Sequence, residues 1–170
     1  EMGVKGAVSA TPLYGDSVMF YDHSTTTYND HTTDVSTGTG HLAADAMQTD
    51  DFIYIGLDEK FSIIVVDMGS NVNANAAVLS AEYSQGDSTW ASVTITDGTA
   101  DSGATLGQDG NITFTAPSDW DTDTVNSVTG KYWIRLAVSA ALSATVDVDG
   151  IHLSTSAYTW TFTPSLIASA

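Results

Sequence analysis

The sequence contains no cysteine. That excludes disulfide stapling, thiol nucleophiles and zinc sites built on thiolates. Positive charge is almost as scarce. Lys5, Lys60, Lys131 and Arg135 stand against 21 acidic residues, for a formal net charge of -17. Nucleic-acid binding needs a Lys/Arg footprint that displaces counterions from phosphate, and four scattered cations do not make one. Attraction to anionic lipid is disfavoured for the same reason. Glutamate is confined to Glu1, Glu59 and Glu82, so the acidity is carried by Asp. No apolar run approaches the roughly 20 residues of a membrane-spanning helix. Residues 1–19 lack the layout of a signal peptide.

Catalytic signatures are missing as well. There is no G-x-S-x-G, no phosphate-binding P-loop and no H-E-x-x-H. A glycosidase would need two carboxylates flanking a cleft, and in so Asp-rich a chain a close pair arises by number alone. The expectation is a non-enzymatic protein.

What is present is a 170-residue chain, 42% hydrophobic, enough for one domain with a real core. Only 15% of residues are charged, against about 25% in soluble domains generally. Thr, Ser, Asn, Asp and Gly do the solvating instead. A strongly acidic surface of this kind suits a saline, halophilic medium or a site where divalent cations are at hand.

Helical periodicity is nearly absent, and the one short candidate, residues 41–47, reads as a turn. Strand signals fill the rest: residues 17–21, 52–57, 61–66, 77–83, 90–96, 112–115 and 132–138, then a pair of short runs over 146–153. The cleanest alternation is Tyr158, Trp160 and Phe162 against Thr159, Thr161 and Thr163. Turn dipeptides at Gly86-Asp87, Asp97-Gly98, Asp109-Gly110 and Asp149-Gly150 punctuate the runs. About nine short strands predict an all-β fold, a jelly-roll β-sandwich of two antiparallel sheets. Residues 1–19 read as an N-terminal arm, 20–156 as the sandwich and 157–170 as a C-terminal strand or arm. The Thr-rich stretch 22–40 reads as a long loop or as edge strands.

From Asp51 onward the motifs DFIYIG (51–56), KFSIIVVDMG (60–69), EYSQGDSTWASVTITDGT (82–99), ITFTAPSDW (112–120) and VNSVTGKYWIRLAVS (125–139) follow one another. Their order and spacing resemble a jelly-roll module of tailed-virus structural proteins and of some large prokaryotic surface proteins. The resemblance covers roughly residues 20–155. It implies a virion-surface or extracellular β-sandwich and assigns no catalytic residue. The Asp-rich run at Asp119, Asp121 and Asp123 departs from it.

Several constellations invite roles. Arg135 is the only arginine, and Glu82 is the only glutamate inside a predicted strand. A bidentate ion pair between them, covered by Trp133, is the expected arrangement, with a ligand-binding role for Arg135 as the alternative. Trp90 and Trp120 follow turns and suit either a sugar-stacking platform or the core. Tyr158, Trp160 and Phe162 form an apolar stripe that either closes the domain's own sheet or docks on a partner's edge. Asp119-x-Asp121-x-Asp123 alternates as a calcium loop begins, and Asp147 with Asp149, or Asp97 with Asp101, offer other oxygen sets for a structural calcium. The alternative for each is a solvated acidic loop. His23, His31 and His41 share one polar stretch, a set for a transition metal or simply loop residues. His152 reads as the polar face of a strand. Asn111-Ile112-Thr113 is an N-glycosylation sequon.

These features lead to a virion structural protein exposed on the particle surface, such as a capsid decoration, turret or tail-associated protein. It would act by symmetric assembly with itself, as a trimer, and with other virion or surface proteins. The alternatives are a carbohydrate-binding module of a secreted or surface-layer protein, and an extracellular filament subunit in which a terminal strand completes a neighbour's sheet.

Overall fold

In residues 52–57, Ile53, Ile55 and Leu57 alternate with Phe52, Tyr54 and Gly56, and an extended chain sends the two sets to opposite faces. The computed structural model, which describes residues 13–155, realises this pattern throughout: it is all-β, with two antiparallel sheets. The strands are β1 (Leu13–Tyr14), β2 (Ser17–Asp22), β3 (Thr27–Asp30), β4 (Leu42–Ala43), β5 (Phe52–Leu57), β6 (Ile63–Met68) and β7 (Leu79–Ser84). They continue as β8 (Trp90–Val93), β9 (Ile95–Asp97), β10 (Gly110–Phe114), β11 (Thr122–Val125), β12 (Val128–Val138) and β13 (Asp147–Ser154). One short helix, α1 (Thr32–Thr37), lies between β3 and β4.

The first sheet runs β1-β13-β6-β10-β9, with β4 also pairing β13. The second runs β3-β2-β5-β12-β7-β8, with β11 pairing the first half of β12. One core lies between them. Ile64, Val66, Ile112, Ile151 and Leu153 of the first sheet meet Val18, Ile53, Ile55, Ile134 and Leu136 of the second. Phe61, Phe114 and Trp120 fill one end, with ring centroids 5.0 Å apart for Phe61–Trp120 and 6.0 Å for Phe114–Trp120.

Several expectations need correcting. Residues 13–19, read as part of an arm, enter both sheets: Leu13 pairs with Leu153 and Ser17 with Gly56. The stretch 22–40 holds an edge strand, β3, and the helix α1, of which only Val35 is buried. α1 is anchored by Val35, which joins the core, and by Thr32, which bonds β2. The Thr32 hydroxyl accepts the Val18 N–H at 2.9 Å, and Gly38 ends the helix with φ +63°. Residues 90–96 do not make one strand. The chain changes sheet at Thr94, leaving β8 on one and β9 on the other. The two runs around Asp149-Gly150 are a single strand, and that dipeptide is a register shift against β6, not a hairpin turn. The expected C-terminal strand at 157–170 lies outside the described residues.

Candidate functional site

A solvent-facing sheet face normally carries polar side chains. The outer face of the second sheet carries aromatic ones. Its outward positions hold Met19 and Tyr21 on β2, Tyr28 on β3, Phe52 and Tyr54 on β5, Trp133 on β12 and Trp90 on β8, and they pack as a second, smaller apolar cluster. The rings form a chain. Tyr21 and Tyr28 stand 4.6 Å apart, Tyr28 and Tyr54 5.7 Å, and Tyr54 and Trp90 5.6 Å. Burial and the adjacent Tyr54 push the Tyr28 hydroxyl up to about 12.

Arg135 sits in the middle of this face. Register places it between Tyr54 on β5 and Glu82 on β7. Its guanidinium carbon lies 4.4 Å from the Phe52 ring centre and 4.5 Å from that of Trp90. Nε and Nη2 donate to Glu82 Oε2 at 2.7 and 2.6 Å, and Nη1 reaches the Tyr54 hydroxyl at 3.5 Å. The expected ion pair is present, with two differences. Both donors converge on one carboxylate oxygen, so the pair is not a two-oxygen fork. Phe52 and Trp90, not Trp133, cover the guanidinium.

Trp133 is fully buried beside Arg135 on the same strand face. It lies over Gly56, where an added Cβ would come within 2.7 Å of the indole. Its indole N–H donates to the Asp123 carbonyl at 3.1 Å. Of the two tryptophans considered as sugar platforms, Trp120 is a core residue: it is 3% exposed and donates its indole N–H to the Trp133 carbonyl at 3.1 Å. Trp90 stays half-buried at the rim of the outer face.

The acidic clusters do not converge. Among the described residues no three His, Asp or Glu side chains are placed to hold a metal ion. Asp119 accepts bonds from the Tyr83 hydroxyl at 3.0 Å and Gln85 Nε2 at 2.6 Å. The Tyr83 bond comes first among the causes holding Asp119 below the usual carboxylate range. Asp121 accepts the Thr122 N–H, and Asp123 accepts those of Ser88 and Thr124. The supposed calcium loop instead leads into β11, with Asp119 held by the side chains of Tyr83 and Gln85 and with Asp121 and Asp123 held by backbone N–H groups. Asp147 bonds Asn71 Nδ2 at 2.6 Å and lies 3.4 Å from His41, and with Asp149 it flanks Gly69. Asp97 binds the Thr99 and Thr105 hydroxyls, both at 2.6 Å, and organises a loop.

The histidines do not gather either. His23 faces Asp50 at 3.6 Å, His31 faces Asp34 at 3.0 Å and His152 faces Asp67 at 3.1 Å. Asn111 is exposed on β10. Tyr158, Trp160 and Phe162 lie outside the described residues.

Sequence reading missed Tyr21, Tyr28, Phe52 and Tyr54. The signal was there in residues 52–55: apolar side chains at every position mean a strand covered on both faces. A scan against protein-family models finds no match for this chain, and a search of curated proteins finds none either.

Proposed function

We propose that this chain is a non-enzymatic jelly-roll module exposed on a virion or extracellular surface, where it acts by assembling with copies of itself and with neighbouring proteins. The observation that carries this reading is the nesting of the strand pairs. β4 pairs β13, β5 pairs β12, β6 pairs β10 and β7 pairs β8. Among these eight strands, taken in chain order, the first meets the last, the second the next to last, and so inward. That wrapping of a long hairpin is what a jelly roll requires. It agrees with the motif order that resembles tailed-virus structural modules. The acidity gives colloidal stability in salt, and a closed ring of three copies is the assembly proposed. Light scattering on the purified chain in molar salt tests this. A discrete trimer supports it; a monomer at every concentration overturns it.

A second reading, a module for neutral glycans, is favoured by Trp90 at the rim of the aromatic face. Arg135 is neutralised there by Glu82, which leaves stacking surface without an anion-binding charge. Titration with neutral oligosaccharides, followed by Trp90 fluorescence, supports this reading if Trp90→Ala removes a saturable change, and sinks it if no sugar produces one.

A further inference from the structure

N-linked glycosylation joins a sugar to the side-chain amide of Asn in Asn-X-Ser/Thr, where X is not Pro. One position in the sequence qualifies. Asn29, Asn71, Asn73, Asn75 and Asn126 lack Ser or Thr two residues on, and Asn111 has Thr113. Chance alone places such triplets in many chains, so the surroundings of the two side chains carry the argument.

β10 sets both on the outer face of the first sheet. Ile112 and Phe114 belong to the core, and Asn111 and Thr113, one residue out of phase, face outward. Asn111 is exposed. Other asparagines are committed: Asn71 and Asn75 donate their amides to Asp147 and to the Ala141 carbonyl, and Asn73 is buried. Among the described residues nothing bonds the Asn111 amide or the Thr113 hydroxyl. The flank toward β9 is also clear. The Gly98 N–H donates to the Asn111 carbonyl at 2.9 Å, and a Cβ at position 98 would lie 2.6 Å from that oxygen. Position 98 is therefore held to glycine, and no side chain rises there beside Asn111. Further along the same face an open groove of about 450 Å3 runs past Thr94, Thr96, Thr113 and Thr115. Small-molecule sites span roughly 300–1,000 Å3, so the groove has room for the first sugars of a glycan. Its threonine hydroxyls both donate and accept, as sugar hydroxyls do.

We propose that Asn111 is an N-glycosylation site. The Asn111 side-chain nitrogen attacks C1 of an oligosaccharide carried on a lipid-linked phosphate donor. The N–C1 bond forms, the C1–O bond to phosphate breaks, the lipid phosphate leaves and one amide proton passes to solvent. β10 is paired on both sides, with β6 and with β9, so transfer precedes closure of the sheet. The proposal rests on the surface reading above, because such donors serve chains that leave the cytoplasm. It also restricts assembly, since a glycan at Asn111 keeps the outer face of the β9–β10 pair out of any contact between copies.

Peptide mass mapping of the protein purified from its natural source tests this. Cleavage before Asp109 and Asp119 releases residues 109–118 as one peptide that holds both Asn111 and Thr113. The expected result is that most of this peptide carries the added mass of sugar residues. Asn111→Gln or Thr113→Ala, expressed in the same host, should return it to its bare mass, and Thr113→Ser should keep the addition. A bare peptide in protein recovered from a particle surface or from the medium overturns glycosylation and leaves the surface reading standing. A bare peptide in protein found only in the cytoplasm overturns both. Added mass that persists in Asn111→Gln puts the sugar on a threonine of the same peptide and overturns Asn111 as the site.

Discussion

Arg135 and Glu82 face each other across β12 and β7, and two guanidinium nitrogens converge on one Glu82 oxygen while the guanidinium lies between the rings of Phe52 and Trp90. Lysine can keep the charge there but neither the planar stack nor the two converging donors. Arg135→Lys should cost about 1–2 kcal/mol, chiefly from lost stacking, since the pair is partly exposed and screened. Urea denaturation measures it. Glu82→Gln should cost less, and unchanged midpoints in both would make the pair irrelevant to stability.

Gly56 is required by its neighbour. Trp133 is fully buried, and a methyl at position 56 would sit 2.7 Å from its ring. Gly56→Ala must displace the indole, and overpacking of this sort costs about 1–3 kcal/mol. Near-ultraviolet circular dichroism should lose tryptophan signal in parallel with the fall in melting temperature.

Asn73 is 2% exposed and ties three loops together. Its amide donates to the Asn75 and Thr105 carbonyls, both at 2.9 Å, and its oxygen accepts the Asn75 and Ser143 N–H groups, both at 3.0 Å. Asn73→Ala strands those groups, at about 1–3 kcal/mol for each buried one left unpaired. Chemical denaturation should show a loss larger than that of Arg135→Lys. Hydrogen exchange should rise first at Asn75 and Ser143.

Folding stability falls at both extremes of pH. Hydrogen bonds from Tyr83 and Lys131 hold Asp119 and Asp58, respectively, below the ordinary carboxylate value of 3.8. Their contribution is complete above that value and is lost as pH falls through the lower folded values. Tyr28 is raised from 10.0 to about 12. Its protonated form is favoured by folding, so that contribution is complete below pH 10.0 and is lost as pH rises through about 12. Phenolate absorbance should show late titration from Tyr28 and from Tyr83, which burial and its bond to Asp119 also push up, and Tyr28→Phe should remove the Tyr28 share alone. If all tyrosines titrate together in the folded protein, the packing of Tyr28 described above is wrong.

The sheets were legible where burial is one-sided or complete. Ile63 to Val66 and the alternation through Tyr132 to Val138 fix their own strands, because a one-residue slip would turn core side chains to water. Register also delivered Glu82 to Arg135. β11 was not legible, because its Thr122-Asp123-Thr124 is polar and is strand only by pairing with β12. α1 escaped for a similar reason, with Val35 as its only buried residue. The acidic run at residues 119–123 read as a metal loop because composition reports carboxylates but not the side-chain and backbone donors that claim them. Thr96 and Thr113, paired across β9 and β10, come from separate segments that no local pattern connects.

The nesting of strand pairs also sets an order of events in folding. Tyr83 meets Ala91 across a tight turn, whereas Leu42 meets Val148 only when nearly the whole domain has been gathered. Loop-closure entropy favours the inner hairpin first and each enclosing pair after it. Distant pairings of this kind slow folding. During synthesis, β6 lacks its β13 neighbour until residues 147–154 have emerged from the ribosome. Until then the edge most exposed to wrong partners is Ile63 to Val66, an unbroken run of β-branched apolar residues.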